Sequence, residues 1–308
     1  MTSPTGGFHD GELAVQRRAG VDTAAARLAG MLRPADLRGG ATAFLAERTF
    51  AAITARDPAG RLWISALTGA AGFLRARGAS ALLIAAVAPV GDPLHRLEAD
   101  QPVGLLAIDF ATRRRFRVNG TLMSVSPAGL GISVEQAYGN CPQYIQRRGL
   151  EPVGPGSTTP PRSGSVLAAA DLELIGRADT FLLGTTHPQR GNDASHRGGS
   201  PGFVRVEADG TGLWWPDYPG NNLFNSLGNL VADDAAALLF ADFATGHTLH
   251  LSGTATLDWT APGTPGDDGG TGRRVRFRPD RVVTGRLLGL RADEVGYSPA
   301  NPPLSAAG

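Results

Sequence analysis

"VGLLAIDFATRRRFRVNGT" (103–121) and "AALLFADFATGHTLHLSGT" (236–254) align without a gap. Both contain Asp-Phe-Ala-Thr, and both close on Gly-Thr after alternating apolar and polar residues. Period-two alternation is the mark of a half-buried strand. The flanks repeat as well. "RTFAAIT" (48–54) resembles "DTFLLGT" (179–185), and "SALTGAAGFLR" (65–75) resembles "SHRGGSPGFVR" (195–205). "ALLIAA" (81–86) holds the position of "GLWWPD" (212–217). Order and spacing that persist over roughly seventy residues indicate a duplicated domain.

Each unit reads as β-rich, with short apolar or alternating runs separated by Gly, Pro, Asn and Asp turns. One short helical segment is expected per unit, "DPLHRLEAD" in the first and "LFNSLGNLVADD" in the second. Two more helices are expected at the front, in "DGELAVQRRAGV" and "AAARLAGML". A parallel α/β sheet would need long helices between its strands. The fold class is therefore mainly β (α+β): two tandem six-stranded barrels with short helices, paired as a pseudo-dimer. The expected boundaries are 1–150 for the N-terminal helices and first unit, 151–165 for a Pro/Gly/Ser/Thr-rich linker, 166–290 for the second unit and 291–308 for a loose tail. "APGTPGDDGGTG" (261–272) reads as a mobile hairpin loop.

The chain of 308 residues has a formal net charge of +1 and no lysine, so all 29 of its Lys+Arg positions are arginine. This balance gives no electrostatic reason to expect nucleic acid or an anionic membrane. The single cysteine, Cys141, excludes an intrachain disulfide and suits a reducing compartment. The N-terminus lacks a signal-peptide core, and no apolar run approaches the ~20 residues of a membrane helix. A cytoplasmic protein is the expectation.

Four motifs carry a resemblance: "FHDGELAVQRRAG" (8–20), "QAYGNCPQYIQRR" (136–148), "SHRGGSPGFVRV" (195–206) and "YPGNNLFNSLGNL" (218–230). The chain resembles the pyridoxamine 5'-phosphate oxidase-like group of FMN-binding split barrels, in a tandem subgroup with one barrel per half. The resemblance implies FMN in a cleft between two barrels, here supplied by one chain, and a flavin-dependent oxidoreductase that moves hydride between a small-molecule substrate and the flavin. It also admits the deazaflavin F420 or haem as cofactor, a cofactor-less interaction or sensor module, and a homodimer of tandem chains. Pyridoxamine phosphate oxidases carry Ser-Arg-Lys where this chain has Phe224-Asn225-Ser226, so the vitamin B6 reaction is not expected. The first repeat has Leu67 where the second has Arg197, which implies one phosphate site, on the second barrel.

The candidate phosphate residues are Ser195, His196 and Arg197 on a strand and Asn221, Asn222, Asn225, Ser226 and Asn229 around a helix start. A helix N-terminus offers free N–H groups and partial positive charge to an anion, and arginine can grip phosphate through two donors. Gly198 and Gly199 would permit close backbone approach. Tyr138, Asn140 and Cys141 are ring-side candidates, with Tyr144 beside them and Pro142 read as a helix start. Each has a plainer reading: an N-cap and turn for the asparagines, a surface ion pair for Arg197, a small packed residue for Cys141. The histidines show no metal-ligand spacing, so no metal is expected. His247 and His250 read as solvated strand residues, and "TRRRFR" (112–117) as a solvated or interface face. No catalytic side chain is singled out.

Overall fold

The structure is a computed structural model that describes residues 7–32, 34–153, 160–292 and 294–305. The first unit is preceded by helices α1 (Asp10–Arg18), α2 (Asp22–Ala26) and α3 (Gly40–Ala46). Its strands are β1 (Phe50–Arg56), β2 (Leu62–Thr68), β3 (Leu74–Arg77), β4 (Ala81–Ile84), β5 (Gln101–Asp109), β6 (Arg114–Ser126) and β7 (Gly129–Asn140). Short β8 (Glu151–Pro152) and β9 (Arg162–Gly164) lie in the joint, followed by α4 (Ala169–Arg177). The second unit comprises β10 (Thr180–His187), β11 (Gly191–Gly198), β12 (Arg205–Val206), β13 (Leu213–Pro216), α5 (Asn225–Ala232), β14 (Ala235–Asp242), β15 (His247–Trp259) and β16 (Arg273–Gly285). A last strand, β17 (Leu290–Arg291), pairs with β8.

The ladders run β2-β1-β5-β6-β7-β4-β3 and β11-β10-β14-β15-β16-β13-β12, the same order in both units. Each encloses one core: Trp63 and Leu67 of edge strand β2 meet Leu74 of edge strand β3 in the first, and Leu183 of β10, Leu213 of β13 and Phe277 of β16 share the core in the second, with Val206 of edge strand β12 packed against it. Each sheet is thus a barrel split along one side, built from seven strands in the first unit and, with β9 paired to β16, eight in the second, where six were expected. The repeated Gly-Thr has a structural cause. The β6–β7 register shifts at Asn119/Gly120 and the β15–β16 register at Ser252/Gly253, equivalent positions of the repeat. A Cβ on Gly120 or Gly253 would lie 2.0 Å from the carbonyl oxygen of Ser133 or Arg278, so both bulges require glycine.

A third core lies between the units. Phe50, Ile64, Leu106, Ile108 and Phe110 of the first meet Leu182, Ala194, Ala237, Leu239 and Phe243 of the second. β2 packs on β14 and β15 as β11 packs on β5 and β6, so a pseudo-twofold relates the units.

Several expectations change. "DPLHRLEAD" forms turns without a helix, while α5 forms as expected. No helix starts at Pro142; the backbone turns, with Tyr144 at φ 65. Helix α1 packs on α5 of the second unit instead of on the first, and Gly11 and Gly228 meet at the crossing, where a Cβ on Gly11 would lie 2.1 Å from the Gly228 oxygen. The tail is tied down. Gln146 accepts from the Ser298 amide at 2.7 Å, Arg113 donates to the Gly296 carbonyl at 3.0 Å, and Ser305 donates to Asp268. Polar partners on both units hold it, which composition alone does not report. Asp267 accepts from the amides of Gly263, Thr271 and Gly272 within the 261–272 loop. Residues 154–159 of the expected linker lie outside the described residues. Among the described residues no helix is long and apolar enough to cross a membrane.

Candidate functional site

A cleft opens between the units, with about 910 Å³ of open space including its mouth. One wall comes from the first unit: Leu106, Arg115 and Arg117, then Cys141, Gln143 and Tyr144. The other comes from β11 (Ser195 to Gly198), from β13, and from the loop 217–222 leading into α5. Ser195, His196, Arg197, Gly198, Asn221, Asn222, Asn225, Ser226 and Cys141 all border this cleft, although they are scattered over two strands' ends, a loop and a helix start.

Arg115 and Arg117 sit at alternate positions on β6, with Phe116 and Val118 turned into the barrel core. The face they share is covered by β11: Arg117 is buried and Arg115 partly so, while Thr112 and Arg114 of "TRRRFR" stay exposed. Of the two readings of the run, the interface face holds for Arg115 and Arg117; alternation shows which side chains share a face but not what covers that face. Arg117 Nε lies 3.1 Å from Asp193 Oδ1, and its Nη1 donates to the Tyr138 hydroxyl at 3.0 Å. Asn119, two residues on, donates to Asp193 at 3.2 Å. Asp193 is therefore neutralised within the protein.

The other two guanidiniums are not. Arg115 Nη1 donates to the His196 carbonyl at 3.2 Å and lies 3.3 Å from His196 Nδ1. Arg197 Nη1 donates to the same carbonyl at 3.3 Å. The Nε atoms of Arg115 and Arg197 are shielded from solvent without a protein acceptor, as is His196 Nε2. Among the described residues, the acids nearest these arginines are committed elsewhere. Asp193 pairs with Arg117, and Asp217 accepts from Arg273 Nε at 2.8 Å. Burial, then Arg197 and Arg117, lower the Arg115 pKa, and burial lowers that of Arg197. Both guanidiniums still stay charged at neutral pH. Burial, then Arg115 and Arg197, push His196 well below its ordinary range, so its imidazole is neutral. The cleft therefore concentrates positive charge in a partly desolvated place.

At the helix end, Ser226 Oγ donates to Ser195 Oγ at 3.0 Å and lies 3.4 Å from Asp193 Oδ2. Phe224 holds the N-cap position in a left-handed backbone conformation and makes no side-chain cap. The asparagines divide. Asn222 borders the cleft with φ 58, and Asn221 Oδ1 accepts from the Leu223 amide at 3.2 Å. Asn225 donates to Glu12 of α1. Asn229 does not border the cleft; it donates to Thr185 Oγ1 at 3.0 Å and lies 3.1 Å from His9 Nε2. Glu12, His9, Asn225 and Asn229 thus form a polar seam beneath α1, which the sequence reading did not foresee. Burial pushes Glu12 up to about 7 and His9 down to about 4.

The glycine pair serves the chain's own packing. A Cβ on Gly198 would lie 2.0 Å from the Tyr144 oxygen, and one on Gly199 2.7 Å from the Phe203 ring. Tyr138 is buried behind Arg117 and does not border the cleft. The side chain of Asn140 lies outside the described residues. Cys141 borders the cleft with its Sγ 3.4 Å from Gln143 Oε1. Tyr144 and Tyr218 meet at 5.1 Å between ring centroids, and the Tyr144 hydroxyl donates to the Pro219 carbonyl at 2.8 Å, bridging the units. His250 is buried and His247 half-buried, the latter 2.8 Å from Thr284 Oγ1. His250 is not solvated as expected, because β2 covers its face of β15, whereas His247 lies on the opposite face and stays partly exposed. Among the described residues no group of three or more His, Cys, Asp or Glu could hold a metal ion.

The chain matches no protein-family model, and no curated protein matches it. Solved structures do match. HupZ of Group A Streptococcus aligns with 11% identity over 40% of this chain and 98% of its own, at a TM-score of 0.32. A Clostridium acetobutylicum protein of the pyridoxinephosphate oxidase family, related to general stress protein 26, aligns with 17% identity over 40% of this chain and 89% of its own, at 0.28. The haem storage protein HutZ of Vibrio cholerae aligns with 12% identity over 42% of this chain and 94% of its own, at 0.27. Each of these structures aligns with less than half of this chain.

Proposed function

We propose that this protein is a cytoplasmic flavoprotein that binds FMN in the cleft between its two barrels and acts as an oxidoreductase on a small molecule. One observation carries the reading. Arg115 and Arg197, one from each unit, bring two guanidiniums to the cleft with shielded Nε donors and, among the described residues, no carboxylate in an ion pair with them. Uncompensated charge in a desolvated place is costly unless an anion supplies the partner. A phosphate between Arg197, Ser195 and the start of α5, facing Arg115, would complete the hydrogen bonding.

FMN, once bound, supplies hydride chemistry at its N5. The chain's own part is to hold and orient the cofactor. Arg115 and Arg197 neutralise the phosphate, Ser195 and Ser226 offer hydroxyls, and Tyr144, Tyr218 and Trp215 provide aromatic walls for a flat ring. No side chain is assigned to proton transfer. The test is a visible spectrum of the purified protein with mass spectrometry of whatever it releases on denaturation. Released FMN is the expected result. Release of F420 keeps the site and changes the cofactor, a Soret band would assign haem instead, and a colourless protein that ignores FMN and F420 would overturn the oxidoreductase reading.

A further inference from the structure

The pseudo-twofold that relates the units generates a counterpart of the cleft on the opposite side of the inter-unit core. Its residues follow from the repeat. Ser65 corresponds to Ser195 and Leu67 to Arg197; Thr248 corresponds to Arg115 and His250 to Arg117. Leu94 and Leu97 fall opposite Leu227 and Leu230 of α5, and all four are buried, which fixes the alignment of the connecting segments. Asp92 then stands at the position of Asn225, beside the start of α5.

We propose that this counterpart is filled by the chain itself, the Asp92 carboxylate taking the place that an outside anion takes in the cleft. The contacts are those of a bound anion. Asp92 Oδ1 accepts from Ser65 Oγ at 2.6 Å and from the Leu94 amide at 2.8 Å. Asp92 Oδ2 lies 3.7 Å from His250 Nε2, while His250 Nδ1 lies 3.1 Å from the Ile64 carbonyl. The side chains of Asp92 and His250 are 2% and 1% exposed. The serine retained in both repeats therefore meets an internal carboxylate in one unit and faces the open cleft in the other. Where the cleft has Arg115 and Arg197, the counterpart has buried Thr248 and Leu67, so a second anion would find Asp92 in its place and no arginine to pair it. Each chain then takes one external anion.

The inference rests on the cleft's taking an anion, but its test does not require FMN. Asp92→Ala removes the carboxylate and leaves room for formate, the smallest carboxylate. In this variant the Tm should fall, and sodium formate should restore it saturably beyond sodium chloride of equal ionic strength, whereas wild type should show no such excess. Equal effects of formate and chloride on Asp92→Ala, or an undiminished Tm, would overturn the assignment. Asp92→Asn keeps the size and the oxygen that Ser65 and Leu94 reach, so it covers the case in which Asp92→Ala does not fold. Its Tm should fall by a few degrees, and it should not respond to formate because the position is filled. A Tm at or above wild type would overturn the proposal. Failure of FMN to bind wild type would overturn the proposed function and leave these readouts intact.

Discussion

At the scale of the residue, the molecule turns on how each arginine is compensated. Arg117 is matched by Asp193, and the pair is enclosed. Arg117→Ala leaves a buried carboxylate without its ion partner, and the expected cost is about 3–5 kcal/mol. Denaturant unfolding measures it, and a loss under about 1 kcal/mol, the range of surface pairs, would mean that the pair is effectively hydrated. Arg115 and Arg197 behave differently, because their partner is to come from outside. Arg115→Ala and Arg197→Ala should each weaken FMN binding about tenfold to a hundredfold, the effect of losing roughly 1.5–3 kcal/mol of charge-assisted hydrogen bonding. Arg177→Ala, whose partner Asp242 lies away from the cleft, serves as the control. Flavin fluorescence titration reads all three, and an Arg197→Ala protein that binds FMN as wild type does would displace the phosphate from its assigned place. Arg197 was legible in the sequence because it sits in a motif. Arg115 was not, because a run of arginines on one strand looks the same whether water or a second barrel lies over it.

At the scale of the element, the decisive contact is α1 on α5. Glycines at the crossing let the helices approach, and Glu12 and His9 are drawn under the first turn. Their titrations oppose each other. Folded Glu12 keeps its proton to about pH 7 against an ordinary 4.5, so across that window the folded state binds more protons and this group's contribution to stability falls as pH rises. Folded His9 takes up its proton only near pH 4 against an ordinary 6.5, so the unfolded chain binds more protons there and its contribution rises with pH. Where the windows overlap, the slopes cancel. Glu12→Gln should show stability that climbs with pH across the overlap, His9→Asn stability that falls, and wild type a flatter curve than either. Thermal melts from about pH 4 to 8 test this, and parallel curves for the three proteins would contradict it. The helix α1 itself was foreseeable from "DGELAVQRRAG"; its docking on the distant half was not, because glycines 217 positions apart in the chain carry no sign of contact.

At the scale of the whole molecule, the units share a core as dry as their own interiors. Leu239 is 1% exposed and Leu106 and Ala194 are 0% exposed. Leu239→Ala should cost roughly 2–5 kcal/mol, as large-to-small changes in packed cores do. The units should unfold in one calorimetric transition, since neither can lose its fold without exposing the shared face. Two separate transitions would show that each barrel stands alone. A fragment of residues 160–305 should aggregate or self-associate for the same reason.

The sequence by itself determined the duplication, the β-rich units, the repeated Gly-Thr that marks the two bulges and about half of the second unit's share of the cleft. Those are local properties: period-two alternation, turn chemistry and repeated motifs act within a few residues of one another, and a linear reading captures them. The tertiary structure decided which faces are covered. It set Arg115 and Arg117 against β11, turned Asn229 away from the cleft toward Thr185 and His9, fixed the tail, and placed Asp92 against Ser65 and His250. These outcomes depend on how one barrel seats on the other, and burial and electrostatic partnership between distant segments exist only once that seating is made.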